Sequence, residues 1–296
     1  MTYSPYNPMP ANSYKGNVHF HTTTSDGSNT IAEMMAAYEA AGYDFAVVTD
    51  HDAVNVDPSV ADILYIGGVE ETANDPATLP VISTHMSVFP AASNVVGYPD
   101  LQSIIDADAA AVHILNHPNV SLATPAWGFV IPTSVALALT DYDAIEIYNW
   151  ASEHSGDYLG YALEMWDDLL TAGKRVWGIA SDDAHADAWA FCGAWVHVFA
   201  AECTQAAIVA AIKAGQFYAT QGPALTIAET GTTLTVSCAD SSNFSFYKTG
   251  GALVETISAA MSATHAYIGQ GNPKYIRCEV TRISDGLKAW TQPIFF

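Results

Sequence analysis

NVHFHTTTSDGSNTIAEMMAAYEAAGYDFAVVTDHD, residues 17–52, is the stretch on which the fold turns. Residues 17–21 form a short β-rich run, and a polar loop then leads into Thr30-Ile31-Ala32-Glu33, the spacing of a capping box. Apolar periodicity carries a helix to Ala41, Gly42 stops it, and residues 44–49 begin a second strand. Working outward, short apolar runs at 63–69, 81–85, 110–115, 143–148 and 175–180 repeat the pattern. Ala-rich segments separate them, with helices predicted over 157–172 and 204–214 and stopped by Gly173 and Gly215. Seven strands alternating with helices predict βα units around a parallel sheet closed into a barrel.

After Gly222-Pro223 the character changes to alternating segments such as 234–237 and 275–280, divided by Gly, Asn, Asp and Ser turns. The expected organisation is an N-terminal extension over 1–15, an α/β barrel over 16–222 and a small all-β, sandwich-like module over 223–296. No repeat, low-complexity tract or long linker intervenes, so the two parts are expected to pack directly together.

Nine Lys and Arg against 31 Asp and Glu leave a formal charge of -22, which repels nucleic-acid backbones and anionic membrane surfaces. Residues 1–13 have neither the basic start nor the apolar core of a secretory signal. No apolar run reaches the roughly 18 to 20 residues of a membrane span, so a soluble, cytoplasmic protein is expected. Cys192, Cys203, Cys238 and Cys278 form no C-x-x-C pair, which argues against a thiolate zinc site; buried thiols are the default. A Cys238–Cys278 bridge would require a sandwich module in an oxidising compartment.

Nearly all the chemically interesting residues fall at or just beyond the C-terminal end of a predicted strand, and in a parallel barrel those ends converge on one face. His19 and His21 are two residues apart, which in extended chain points both imidazoles to one side. His51, Glu70, His85 and His117 follow later strands, Asp183 and His185 follow the strand at 175–180, and Asp26 lies in the loop 22–27. A lone His at a strand end is usually structural, but so many together point to metal. Imidazole and carboxylate donors suit zinc, manganese or iron. With about four to six positions per ion, nine ligands fit two or three divalent ions.

The runs His19-Phe20-His21, Ser25-Asp26-Gly27, Thr49-Asp50-His51, Gly68-Val69-Glu70, Asn116-His117-Pro118 and Ser181-Asp182-Asp183-Ala184-His185 resemble the motifs of the PHP (polymerase and histidinol phosphatase) family. The resemblance spans 16–222, and residues 215–223 and 289–294 are similar to segments of the PHP proteins that carry a small C-terminal β domain. It implies a distorted seven-stranded (β/α)7 barrel, related to the TIM barrel, with a trinuclear centre. By that resemblance His19, His21, Glu70 and Asp183 hold a first ion, Glu70, His85 and His117 a second, and Asp26, His51 and His185 a third. Glu70, His85 and Asp183 would then surround a hydroxide nucleophile. The doublet Asp182-Asp183 leaves the ligand ambiguous by one residue, and the Asp-x-His spacing favours Asp183.

The reaction so implied is hydrolysis of a phosphoester in a small-molecule substrate. Yet the barrel region after Lys15 supplies only Lys174, Arg175 and Lys213 as cations, none clearly placed to grip phosphate. A phosphodiester, or a carboxyl ester or carbamate of the carbaryl-hydrolase type, is therefore an alternative to a monoester. Candidate pocket residues are Tyr148, Asn149, His154 and Trp189. A non-catalytic binding or virion-surface protein is the remaining alternative, which the full set of ligand positions argues against.

Overall fold

The computed structural model describes residues 2–59, 62–75, 82–91, 97–119, 130–155, 159–185, 190–267 and 273–296. In chain order the strands are β1 (Asn12–Asn17), β2 (Phe45–Val48), β3 (Leu64–Gly67), β4 (Val69–Asp75), β5 (Ile82–Phe89), β6 (Val112–Leu115), β7 (Ala144–Asn149) and β8 (Trp177–Ser181). They continue as β9 (Trp195–Ala200), β10 (Phe217–Thr220), β11 (Leu225–Glu229), β12 (Thr233–Lys248), β13 (Ala252–Ala266), β14 (Tyr275–Arg282), β15 (Lys288–Thr291) and β16 (Ile294–Phe295). The helices are α1 (Ile31–Ala40), α2 (Leu101–Ala107), α3 (Thr133–Ala138), α4 (Trp150–His154), α5 (Leu163–Thr171) and α6 (Gln205–Lys213).

Helix α1 begins where its capping box predicts: the Glu33 N–H donates to Thr30 Oγ1, and the Thr30 N–H donates to Glu33 Oε2 at 2.8 Å. Thr204 caps α6 by its side chain alone, accepting from the Ala207 N–H. Gly42, Gly173 and Gly215 take positive φ just beyond their helices, a conformation in which a Cβ would be strained.

The expected closed parallel barrel of seven strands does not form among the described residues. Its strands divide between two sheets, one ordered β4-β5-β6-β7-β8 and an eleven-stranded one containing β9-β1-β2-β3. Two features account for this. The single run expected over 63–69 breaks at Gly68 into β3 and β4; a Cβ there would lie 3.0–3.1 Å from Val47, Phe89 and the Val48 carbonyl. Direction also varies, since β5 runs antiparallel to both β4 and β6, and β9 antiparallel to β1 and β10. Isolated parallel bridges, Phe20 with Ala184 and His51 with Glu70, stitch the two sheets together.

One core cluster draws on both sheets, with Val47 and Ile66 from one and Phe89, Ile114 and Ile179 from the other. Burying each such side chain contributes about 1.5–3 kcal/mol. Residues 223–296 are all-β apart from one short 3-10 turn among those described. By hydrogen bonding they continue the large sheet, because β15 pairs with β10. Cys238 and Cys278 are buried and unbridged. No helix among the described residues is long and apolar enough to cross a membrane.

Candidate metal centre

The chain leaves β1 at Asn17 and brings the Nε2 atoms of His19 and His21 to 3.2 Å from each other, while Phe20 between them packs on Tyr38. His51 lies just past β2 and bridges to Glu70 of β4; His85 belongs to β5, opposite Thr72. His117 follows β6, and Asp183 and His185 follow β8. The loop bearing Asp26 is held by buried Asp50, which accepts from the Thr22 N–H and Thr22 Oγ1 at 2.7 Å and from Ser25 Oγ at 2.6 Å. His117 (φ 25°) and Asp183 (φ 53°) occupy left-handed backbone, a strain of order 1–3 kcal/mol each that tends to persist at functional positions.

All nine residues singled out from the sequence meet at one place, with Glu70 at its middle. Glu70 Oε1 lies 3.3 Å from His19 Nε2, 3.2 Å from His85 Nδ1 and 3.1 Å from His117 Nε2. Its Oε2 lies 3.3 Å from His21 Nε2 and 3.0 Å from His51 Nδ1. Asp183 Oδ1 faces His19 and His21 at 3.3 and 3.2 Å. At the exposed mouth, Asp26 stands 3.6, 3.6 and 3.4 Å from His21, His51 and His185.

These residues fit a metal on two observations. Glu70 Oε2 and Asp183 Oδ1 are buried without a hydrogen-bond partner although imidazole nitrogens surround them, so the lone pairs converge on common points. Tetrahedral coordination at about 2.0–2.2 Å would separate donors by about 3.3–3.6 Å, close to the spacings found. Four groupings could hold an ion: His21, Asp26, His51 and His185; His19, His117 and Asp183; His19, His21 and Glu70; and His51, Glu70 and His85. They differ from the assignment implied by resemblance in that His117 joins His19 and Asp183, His51 also joins Glu70 and His85, and His21 also joins the outer group.

Burial by itself would raise the Glu70 carboxyl, but the imidazoles, His85 and His19 foremost, hold it well below the usual range. Asp183 is likewise held low by His19 and its neighbours against desolvation. Burial opposes charge on His185, yet Asp26 and Asp183 raise it to about 9.

The Asp182-Asp183 ambiguity resolves spatially. Asp182 turns away, accepting from the N–H groups of Cys192, Gly193 and Ala194 and from Tyr38 Oη at 2.8–3.1 Å. Of the pocket candidates, Asn149 donates to Asp183 Oδ2 at 3.1 Å and to Glu146 Oε2 at 3.0 Å. Tyr148 packs instead on Tyr161 and Trp290, and exposed His154 stacks on Trp150 at 3.7 Å. Trp189 lies outside the described residues.

Sequence reasoning missed Glu146. Fully buried on β7, it accepts from His19 Nδ1 at 2.7 Å, the His117 N–H at 2.6 Å and Ser181 Oγ, so it orients two of the nine without joining them. Its signal was an acidic residue inside the apolar run Ala144-Ile145-Glu146-Ile147. Asn116, quoted only as part of a motif, donates to Glu70 Oε1 at 2.7 Å.

No family model and no curated protein matches the sequence. Among solved structures, the chain shares its fold with a two-domain protein from Bacteroides vulgatus ATCC 8482 described as "containing predicted PHP-like metal-dependent phosphoesterase". The two are 18% identical with a TM-score of 0.53 over 95% of each chain. A provisionally described metal-dependent phosphoesterase from Bifidobacterium adolescentis ATCC 15703 is 16% identical, covering 60% of this chain and 89% of its own, with a TM-score of 0.42. An amidohydrolase from Chromobacterium violaceum is 14% identical, covering 58% and 88%, with a TM-score of 0.38. The last two scores are too low to carry an argument. The first shows the fold alone, a two-domain PHP-like fold, without showing the seven-stranded barrel that the motifs implied.

Proposed function

We propose that this protein is a metal-dependent hydrolase of phosphoesters whose nine clustered side chains hold two or three divalent ions of zinc, manganese or iron. The observation that carries the reading is the convergence of six imidazoles and three carboxylates with their lone pairs facing one another. Divalent ions in such a setting acidify water to supply a nucleophile near neutral pH and offset charge developing on a substrate oxygen. The chain's own part is to hold that setting. Glu70, His85 and Asp183 surround the reacting position, and Glu146 orients His19. Asn149 fixes Asp183, while Asp26 and His185 sit at the mouth where substrate enters. The domain limits 16–222 and 223–296 belong to this proposal.

Among the described residues no Lys or Arg forms a hydrogen bond or ion pair with any of the nine, which favours a diester or another weakly charged ester over a monoester carrying nearly two charges. The test combines metal analysis with turnover of matched aryl diester and monoester substrates. The reading expects two or three ions per chain, fewer in Glu70→Ala, and diester turnover at least equal to monoester turnover. Less than one ion per chain after reconstitution would remove it. A monoester preference above about a hundredfold, roughly 2.7 kcal/mol, would mean that a cation reaches the site.

A further inference from the structure

The cations missing from the metal centre gather at the other end of the same strands. Lys174 and Arg175 precede β8, and Asp141 and Asp143 precede β7, whereas the metal-centre residues follow β6 and β8; these strands run parallel, so the two sets lie at opposite ends. A cavity of about 490 Å3 opens there, lined by Lys174, Arg175 and Lys213 together with Asp141, Asp143 and Tyr142. It holds three of the nine cations of a chain with 31 acidic residues.

Their partners set the charge that the cavity presents. Lys213 Nζ is spent on Asp143 Oδ2 at 3.1 Å and on the Ala111 carbonyl, and Asp143 also accepts the His113 N–H at 2.9 Å. Lys174 Nζ donates to the Leu139 carbonyl, which carries no net charge. The Arg175 guanidinium lies over the Tyr3 ring at 4.3 Å and the Phe295 ring at 5.7 Å. Among the described residues neither Lys174 nor Arg175 forms an ion pair, although acids outnumber bases more than threefold. Stacking fixes the plane of a guanidinium and leaves its N–H edge for a planar or tetrahedral oxyanion, the geometry in which arginine binds two oxygens at once.

We propose that this cavity binds a small oxyanion, phosphate or the phosphate or carboxylate group of a metabolite, through the Arg175 fork with Lys174 beside it. The site is separate from the metal centre and does not depend on the hydrolase reading.

Calorimetric titration of the metal-loaded protein with inorganic phosphate, sulfate and glycerol phosphate, at matched ionic strength, tests it. Arg175→Gln is the first variant because it removes the guanidinium that stacks on the Tyr3 and Phe295 rings and forms no ion pair among the described residues; Lys174→Gln is the second. Wild-type protein should show a saturable binding event that Arg175→Gln weakens by about tenfold or more, with hydrolytic turnover unchanged. A metal-depleted His51→Ala protein should retain that event. Tighter binding of glycerol phosphate than of inorganic phosphate would assign the site to a metabolite, and the reverse to free phosphate. Equal titrations in wild type, Arg175→Gln and Lys174→Gln would overturn the inference while leaving the metal centre untouched. Loss of all anion binding in His51→Ala would overturn it too.

Discussion

Five imidazole nitrogens face the single carboxylate of Glu70. Against the effect of burial, Asp26 and Asp183 raise His185 from 6.5 to about 9, and Glu70 raises His51 and His117. Because the folded value lies above the unfolded one, the His185 pairing stabilises metal-free protein fully below pH 6.5 and is lost as pH rises through about 9. Metal needs the neutral imidazole, so binding must displace the proton. Titrating a divalent ion near pH 7.5 in two buffers of different ionisation enthalpy should therefore show release of about one proton or more per chain, with affinity falling as pH is lowered toward 6. Binding without proton release would mean that these imidazoles are not the ligands.

At the scale of elements, the decisive irregularity is the register shift in β7 between Glu146 and Tyr148 against β8. In a regular strand Glu146 and Tyr148 would share one face. The bulge lets Glu146 and Asn149 both turn toward the centre and sends Tyr148 to Trp290 and Tyr161. Asn149 then caps α4, accepting the Ser152 N–H at 2.8 Å, and so seats Trp150 against Gly193. A Cβ on Gly193 would lie 1.9 Å from Trp150 Cδ2. Gly193→Ala should lower stability by about 1–3 kcal/mol through overpacking, read from the denaturation midpoint. Adding Trp150→Ala should recover part of that loss. Strict additivity of the two substitutions would show that the contact is not the cause.

Across the whole molecule, the C-terminal strands are fastened to the rest by groups that cannot be removed singly without cost. β15 pairs with the edge of β10, and the Gln292 amide clasps the N–H and carbonyl of Gly178 at 2.7 Å each. Arg277 on β14 forms a two-point ion pair with Asp167 of α5, at 2.9 and 2.6 Å, and Tyr275 Oη donates to the same carboxylate. Both charges are largely buried, so Arg277→Met should destabilise by about 3–5 kcal/mol by stranding Asp167. Arg277→Met with Asp167→Asn should recover part of this in thermal or denaturant unfolding. An effect on the single variant below about 1 kcal/mol would mean that water reaches the pair.

What the sequence determined by itself is what local chemistry controls. The Thr30 box starts α1 because the hydrogen bonds that cap a helix lie within four residues, and Gly42, Gly173 and Gly215 end helices because their backbones are permissive. Eight of the nine converging residues were legible because each stands at or near the end of an apolar run, and Asp26 because its loop directly follows the first of them. Strand direction, the sheet break at Gly68 and the β7 bulge were not legible, since pairing partners lie far apart in sequence and one residue of register reverses a face. For the same reason Glu146 was hidden: only the folded chain shows that it touches His19, Ser181 and the His117 backbone, contributed by three different segments. That Lys174 and Arg175 lie opposite the metal centre was legible too, because they precede a parallel strand; only tertiary structure brought Lys213, at the end of α6, into one cavity with them.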